Sequence, residues 1–192
     1  MSKKYNIIYA DPPWQYNDKP NKRGRTVETH YTTMPLANIC VMPIQTIAAD
    51  NSVLFMWATF PKLQEAFQVI DAWGFTYKTV AFVWIKANRS FDLTQSAIFP
   101  EMLFDDFMGM GMWTRSNAEI VLLATKGSPK REKANVRQIV YAPITKHSEK
   151  PKEVATRIVK LCGALPRIEL FARKPNKGWD VYGNEVKSDI VL

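Results

Sequence analysis

Apolar residues along this chain fall in short, nearly unbroken runs. Tyr5–Ala10 (YNIIYA), Ser52–Ala58 (SVLFMWA), Thr79–Ile85 (TVAFVWI), Ile120–Ala124 (IVLLA) and Arg167–Ala172 (RIELFA) are rich in aromatic or β-branched residues. Continuous apolarity of that length predicts strands buried on both faces, as in a parallel or mixed sheet covered by helices. Between the runs the period changes. Pro61 is followed by Leu63, Ala66, Phe67 and Ile70 at helical spacing, with Gly74 as a stop. Pro151 opens a second helix whose stripe is Val154, Ala155, Ile158, Val159 and Cys162, closed by Gly163. Cys162 is thus expected in the core. The alternation predicts an α/β three-layer domain, in which ligands bind beyond the carboxyl ends of the strands. Asn88–Glu119 fits no regular element. It mixes acids with Met108-Gly109-Met110-Gly111-Met112-Trp113, and residues 88–118 are expected to be an inserted substrate loop.

At 192 residues the chain is expected to be one domain, residues 1–192. A hydrophobic fraction of 46% excludes overall disorder, and no apolar run reaches the ~18 residues of a membrane span. The opening Met1-Ser2-Lys3-Lys4 lacks the features of a signal peptide, so a cytoplasmic protein is expected. Two cysteines and two histidines are too few for a disulfide framework or a zinc-centred site, so no metal is expected. The net charge is +8, with a pI near 9.5. That excess allows a nucleic-acid partner without requiring one. Its clustering says more. Lys22, Arg23 and Arg25 crowd one segment, Lys130, Arg131 and Lys133 another, and Lys146, His147, Lys150 and Lys152 a third. The first two runs are expected to be loops that hold phosphates around a pocket.

The first predicted strand ends in Asp11-Pro12-Pro13-Trp14. Two prolines fix φ and remove two N–H donors. What remains is a stiff arch of acceptors, the Asp11 carboxylate and the Asp11 and Pro12 carbonyls, beside the flat face of Trp14. Such a pocket suits a planar ring with an exocyclic amine. Methylation of that amine would use it well. The nitrogen lone pair is delocalised into the ring, and two hydrogen bonds from its protons to fixed acceptors would localise it. Further rate would come from orientation and from acceptors aimed at developing positive charge.

Those four residues are the signature of amino-methyltransferases that use S-adenosylmethionine. The chain resembles their adenine-N6 branch, which includes the catalytic subunit of the eukaryotic mRNA methylation complex and bacterial and phage DNA-modifying relatives. The resemblance runs from about Tyr5 to Val186. It is carried also by His30-Tyr31-Thr32-Thr33-Met34, Leu54-Phe55-Met56-Trp57, Val83-Trp84-Ile85-Lys86-Ala87-Asn88 and Asn117-Ala118-Glu119. Further on it includes His147-Ser148-Glu149-Lys150-Pro151, Ile168-Glu169-Leu170-Phe171-Ala172-Arg173 and Gly178-Trp179 leading to Gly183-Asn184-Glu185. It implies a Rossmann-like sheet of about seven strands in permuted order, with the catalytic strand first and the cofactor strand near the end.

By the same resemblance, Asp11, Pro12, Pro13 and Trp14 are catalytic. Asp11, Lys150, Arg173, Asn176, Asn184 and Glu185 match positions that contact the methyl donor, Lys150 pairing with its carboxylate. Trp14 would stack on the base, Tyr31 would line the pocket, and Lys86 and Glu119 would approach the purine edge. Trp57, Trp84 and Phe171 are expected in the core. Pro175 stands where the eukaryotic relative has histidine, and the glycine-rich nucleotide loop is absent. The expected reaction is adenine-N6 methylation of DNA, with the base flipped out of the duplex. RNA methylation and a non-catalytic nucleic-acid-binding subunit are the alternatives. Relatives often pair, so a homodimer is an expectation too.

Overall fold

The computed structural model describes residues 3–16, 32–88, 107–109, 113–145 and 149–192. The elements in chain order are β1 (Tyr5–Ala10), α1 (Leu36–Cys40), β2 (Ala48–Ala58), α2 (Leu63–Ala72), β3 (Thr76–Ala87) and β4 (Ala118–Lys126). They are followed by β5 (Ile139–Pro143), α3 (Lys152–Cys162), β6 (Arg167–Leu170) and β7 (Asp180–Tyr182). Among the described residues the strands form one seven-stranded sheet in the order β5-β3-β4-β2-β1-β6-β7. β4 alone runs against the rest, since it pairs antiparallel with both β2 and β3, whereas the β1–β2, β1–β6, β3–β5 and β6–β7 pairs are parallel. Six strands therefore end, and β4 begins, at the same edge of the layer.

Each face of the sheet has its own core. Ile8, Ala10, Leu54 and Met56 pack with Ile39 of α1 and with Ile70 and Trp73 of the α2 region. On the other face Ile7, Tyr9, Phe55, Trp57, Phe82, Trp84 and Val121 pack under Val154, Ile158 and Cys162 of α3. Cys162 is buried there as core filler, and burial pushes its thiol up to about 11.

All five sequence-predicted strands are present. β5, β7 and α1 carry too little apolar pattern to be predicted: β5 and β7 are the sheet's edges, and α1 is a 5-residue turn and a half. Several boundaries differ from expectation: β2 starts at Ala48 rather than Ser52, and β3 spans Thr76–Ala87 rather than Thr79–Ile85. β4 includes Ala118 and Glu119, which pair with Ile85 and Trp84, so the irregular stretch ends earlier than Glu119. β6 stops at Leu170 rather than Ala172, because Phe171 takes a left-handed φ of 61° that breaks the extended chain. Pro61 lies in a 3-10 turn, Phe60–Lys62, that leads into α2.

Candidate active site

Strand alternation builds the site from the core itself. Side chains two apart share a face. The ladder that buries Tyr9 and Trp84 in the α3-side core continues one rung further, to Asp11 on β1 and Lys86 on β3. On β4, which runs the other way, the same ladder passes from Val121 back to Glu119. The charged residues are thus the outermost rungs of an apolar stack, at the edge where the parallel strands end. The cavity there measures about 560 Å³, within the range of small-molecule sites. Asp11, Trp14, Trp57, Trp84, Lys86 and Glu119 line it, as do Lys150, Phe171, Arg173, Asn184 and Glu185.

Four of these side chains make one ionic chain. Lys86 Nζ lies 2.6 Å from Glu119 Oε1. Lys150 Nζ lies 3.4 Å from Glu119 Oε2 and donates to Asp11 Oδ2 at 2.9 Å. Each ammonium also sits against an indole, Lys150 5.4 Å from the Trp57 ring centre and Lys86 5.3 Å from that of Trp84. Opposite charges and ring quadrupoles together compensate the loss of water around two half-buried cations. Burial pushes the Asp11 carboxyl above its ordinary value, and the opposing pull of Lys150 does not fully offset it. Burial acts the same way on Glu119, but there the charges of Lys150 and Lys86 prevail and hold it below its ordinary value. Burial opposes the charge on Lys150, yet Asp11 and Glu119 raise it well above the usual ammonium range, so it remains protonated.

The Asp11-Pro12-Pro13-Trp14 arch is fixed from several sides. The Trp14 backbone N–H donates to the Pro12 carbonyl at 2.8 Å, and Met34 N–H donates to the Pro13 carbonyl at 2.9 Å. Trp14 Nε1 donates to the Trp57 carbonyl at 3.3 Å. Pro12 consequently keeps one carbonyl lone pair for a ligand rather than two. Trp14 is also less open than expected. Its ring is 5% exposed and packs into the core on the α2 side, so it serves as a clamped wall of the cavity. Trp57 and Trp84 are core residues as expected, yet they line the cavity too. Their position at the ends of β2 and β3 was the available signal.

At the β6–β7 side, Phe171 turns the chain in the left-handed region and sends Arg173 to the rim, where its Nε donates to Glu185 Oε1 at 3.0 Å. Phe171 packs on the core and lines the cavity together, which extends the expected role. Gly183 is required here. A Cβ on it would lie 2.1 Å from the Ala172 carbonyl oxygen, so only glycine lets the two backbones approach. Asn176 does not line the cavity; its Nδ2 donates to Glu169 Oε2 at 2.8 Å. Lys150, expected against a donor carboxylate, is held by the site's own carboxylates. Tyr31, Lys22, Arg23 and Arg25 lie outside the described residues.

Lys130, Arg131 and Lys133 are not beside the cavity. They follow β4, which starts at the cavity and ends at Lys126, so their loop lies beyond the opposite end of the sheet. The sequence could not reveal this, because it depends on β4 being the reversed strand.

Comparison with known proteins identifies the family. The MT-A70 family model matches residues 5–185. The chain belongs to the MT-A70 family. It is a methyltransferase, and its sheet is the Rossmann-like methyltransferase fold in permuted order. The chain is 35% identical to the type II methyltransferase M.MunI of Mycoplasma sp, over 96% of this chain and 78% of that protein. It is 23% identical to the N(6)-adenosine-methyltransferase catalytic subunit METTL3 of Homo sapiens, over 95% of this chain and 28% of that protein. To the N(6)-adenosine-methyltransferase MT-A70-like protein of Arabidopsis thaliana it is 23% identical, over 95% of this chain and 24% of that protein. The chain thus spans most of M.MunI and about a quarter of the plant and human relatives. No helix among the described residues is long and apolar enough to cross a membrane.

Proposed function

We propose that this MT-A70 methyltransferase transfers a methyl group from S-adenosylmethionine to the exocyclic N6 amine of adenine in DNA. The observation that carries the reading is the Asp11 carboxylate, held at 2.9 Å by Lys150 beside the proline-fixed arch and facing a cavity of about 560 Å³. The names of the adenosine-methylating relatives supply the atom. DNA is favoured because this chain spans most of a type II methyltransferase and only about a quarter of the adenosine-methylating proteins.

The residues present fit the donor. Arg173 at the rim suits its carboxylate, Asp11 its ammonium, and Asn184 and Glu185 the hydroxyls of its ribose. Gly183 lets the β6 and β7 exits close on each other, which brings Arg173 and Glu185 together at the rim of the cavity. When bound, S-adenosylmethionine supplies an electrophilic methyl group on a sulfonium. Asp11 and the Pro12 carbonyl accept hydrogen bonds from the two N6 protons, which gives the nitrogen a usable lone pair. Positive charge would grow on that nitrogen as it takes the methyl group from the sulfonium, and Asp11 is placed to oppose it. The surplus proton then leaves to Asp11 or to water. Trp14, Trp57 and Trp84 keep water from the reacting atoms. Lys86 and Glu119 lie on the cavity wall where a purine edge would reach.

The test is incubation with methyl-labelled S-adenosylmethionine and parallel DNA and RNA, followed by nucleoside mass spectrometry. N6-methyldeoxyadenosine is the expected product, and Asp11→Ala should remove it. Label in RNA alone, or in no nucleic acid, would overturn the reading.

A further inference from the structure

The helix α3 connects the cavity to the far end of the sheet. It begins directly after Lys150, and at its other end the backbone N–H groups of Glu132 and Lys133 donate to the Leu161 carbonyl at 2.7 and 3.3 Å. Those two bonds fasten the Lys130–Lys133 loop to the last turn of α3. The outward face of the helix carries Lys152, Thr156 and Lys160, all exposed and about one turn apart. Glu153, beside them, is occupied by Arg157, whose Nε donates to it at 2.9 Å. Among the described residues, no ion pair engages Lys130, Arg131, Lys133, Lys152 or Lys160. A line of unpaired cations therefore starts beside the cavity and leads away from it.

The length of that line identifies what it fits. α3 has 11 residues and carries the line over about 16 Å, from the cavity end to the loop fastened at Leu161, at ~1.5 Å per residue. A compact anion would use only one point of such a track. A polyanion that stays straight over about 16 Å would use all of it, and duplex DNA is stiff over far longer distances. A flexible single strand has no need to follow the line. The geometry points to the outward face of α3 and the Lys130–Lys133 loop as a phosphate track for duplex DNA on one side of the target base, reaching about five base pairs from it at ~3.4 Å per pair. This rests on the DNA-methylation reading for the position of the target and adds to it an asymmetric footprint. It also gives the basic loop a function that its distance from the cavity would otherwise deny it.

The first arm of the test is duplex binding by fluorescence anisotropy across a range of salt concentrations. Combined Lys130→Ala, Arg131→Ala and Lys133→Ala should lower the slope of log affinity against log salt by about 2–3, and combined Lys152→Ala and Lys160→Ala by about 1–2. Circular dichroism and melting check that both variants are folded. The second arm uses duplexes with a single target adenine. Cutting one flank below about five base pairs should lower kcat/KM about tenfold, while the same cut on the other flank has a much smaller effect. In the triple variant the ratio between long and short flanks should collapse toward one. An unchanged salt slope in the folded variants, or equal sensitivity to both flanks, overturns the track. Equal competition by single-stranded DNA or RNA overturns its duplex character. Binding with the expected slopes but no methylation of any duplex contradicts the methylation reading and leaves the track standing.

Discussion

The two ends of the sheet treat positive charge in opposite ways. At the cavity end each described cation facing the site is matched by a carboxylate: Lys86 by Glu119, Lys150 by Glu119 and Asp11, and Arg173 by Glu185. At the far end Lys130, Arg131 and Lys133 are exposed on a loop, without such partners among the described residues. The net +8 is consequently no property of the catalytic site. Charges at the cavity are internally balanced and half removed from water, so their geometry and protonation matter. Charges at the far end are solvated and additive, so only their number and placement matter.

That contrast gives a graded set of expectations. Asp11→Ala should lower methyl transfer by about 10²–10³-fold or more, since it deletes the acceptor aimed at the developing charge. Single-turnover rates would show it. Lys150→Met should move the acid limb of the pH–rate profile upward by about 1–3 units, because the cation that opposes the burial of Asp11 is gone. In the wild type that limb should lie above the ordinary aspartate range, because burial raises the Asp11 carboxyl, and activity should fall as pH falls through it, because a protonated Asp11 donates where it must accept. An unmoved limb would detach Lys150 from Asp11 and weaken the contrast at its centre.

Glu119→Gln should cost about 2–3 kcal/mol of stability at neutral pH, on the low side for a buried ion pair because Asp11 still faces Lys150. The sign of its pH dependence follows from a native value held below the ordinary one. The contribution of Glu119 is fully present above pH ~4.3 and is lost as pH falls through its lower native value. Melting temperatures of wild type and variant should therefore converge in acid. Neutralising Lys130, Arg131 and Lys133 should leave stability within about 0.5 kcal/mol, as for surface charges in general. Equal destabilisation at both ends would remove the distinction.

Much of this was legible in the chain. The five central strands and both long helices show as apolar runs and stripes, because each is covered on the faces that matter. Edge strands β5 and β7 and the short α1 do not, since little of their surface is buried. The arch at Asp11 was readable because prolines at the end of a buried strand have few other uses. The pairing of Lys150 with Asp11 and Glu119 was not readable. It joins residues from β1, β4 and the segment before α3, and only the sheet order brings these together. The same holds for the basic loop, which two opposite strand directions for β4 would place at opposite ends of the molecule.

The measurement closest to the central claim compares wild type with Asp11→Asn, a substitution that keeps the shape of the side chain and removes its charge. Single-turnover methyl transfer to a duplex, with product assigned as N6-methyldeoxyadenosine, would be read beside duplex affinity across salt. The account predicts a rate lower by about 10²–10³-fold, with the salt slope of binding unchanged because the phosphate contacts lie elsewhere. A folded Asp11→Asn protein that methylates adenine at the wild-type rate would contradict it.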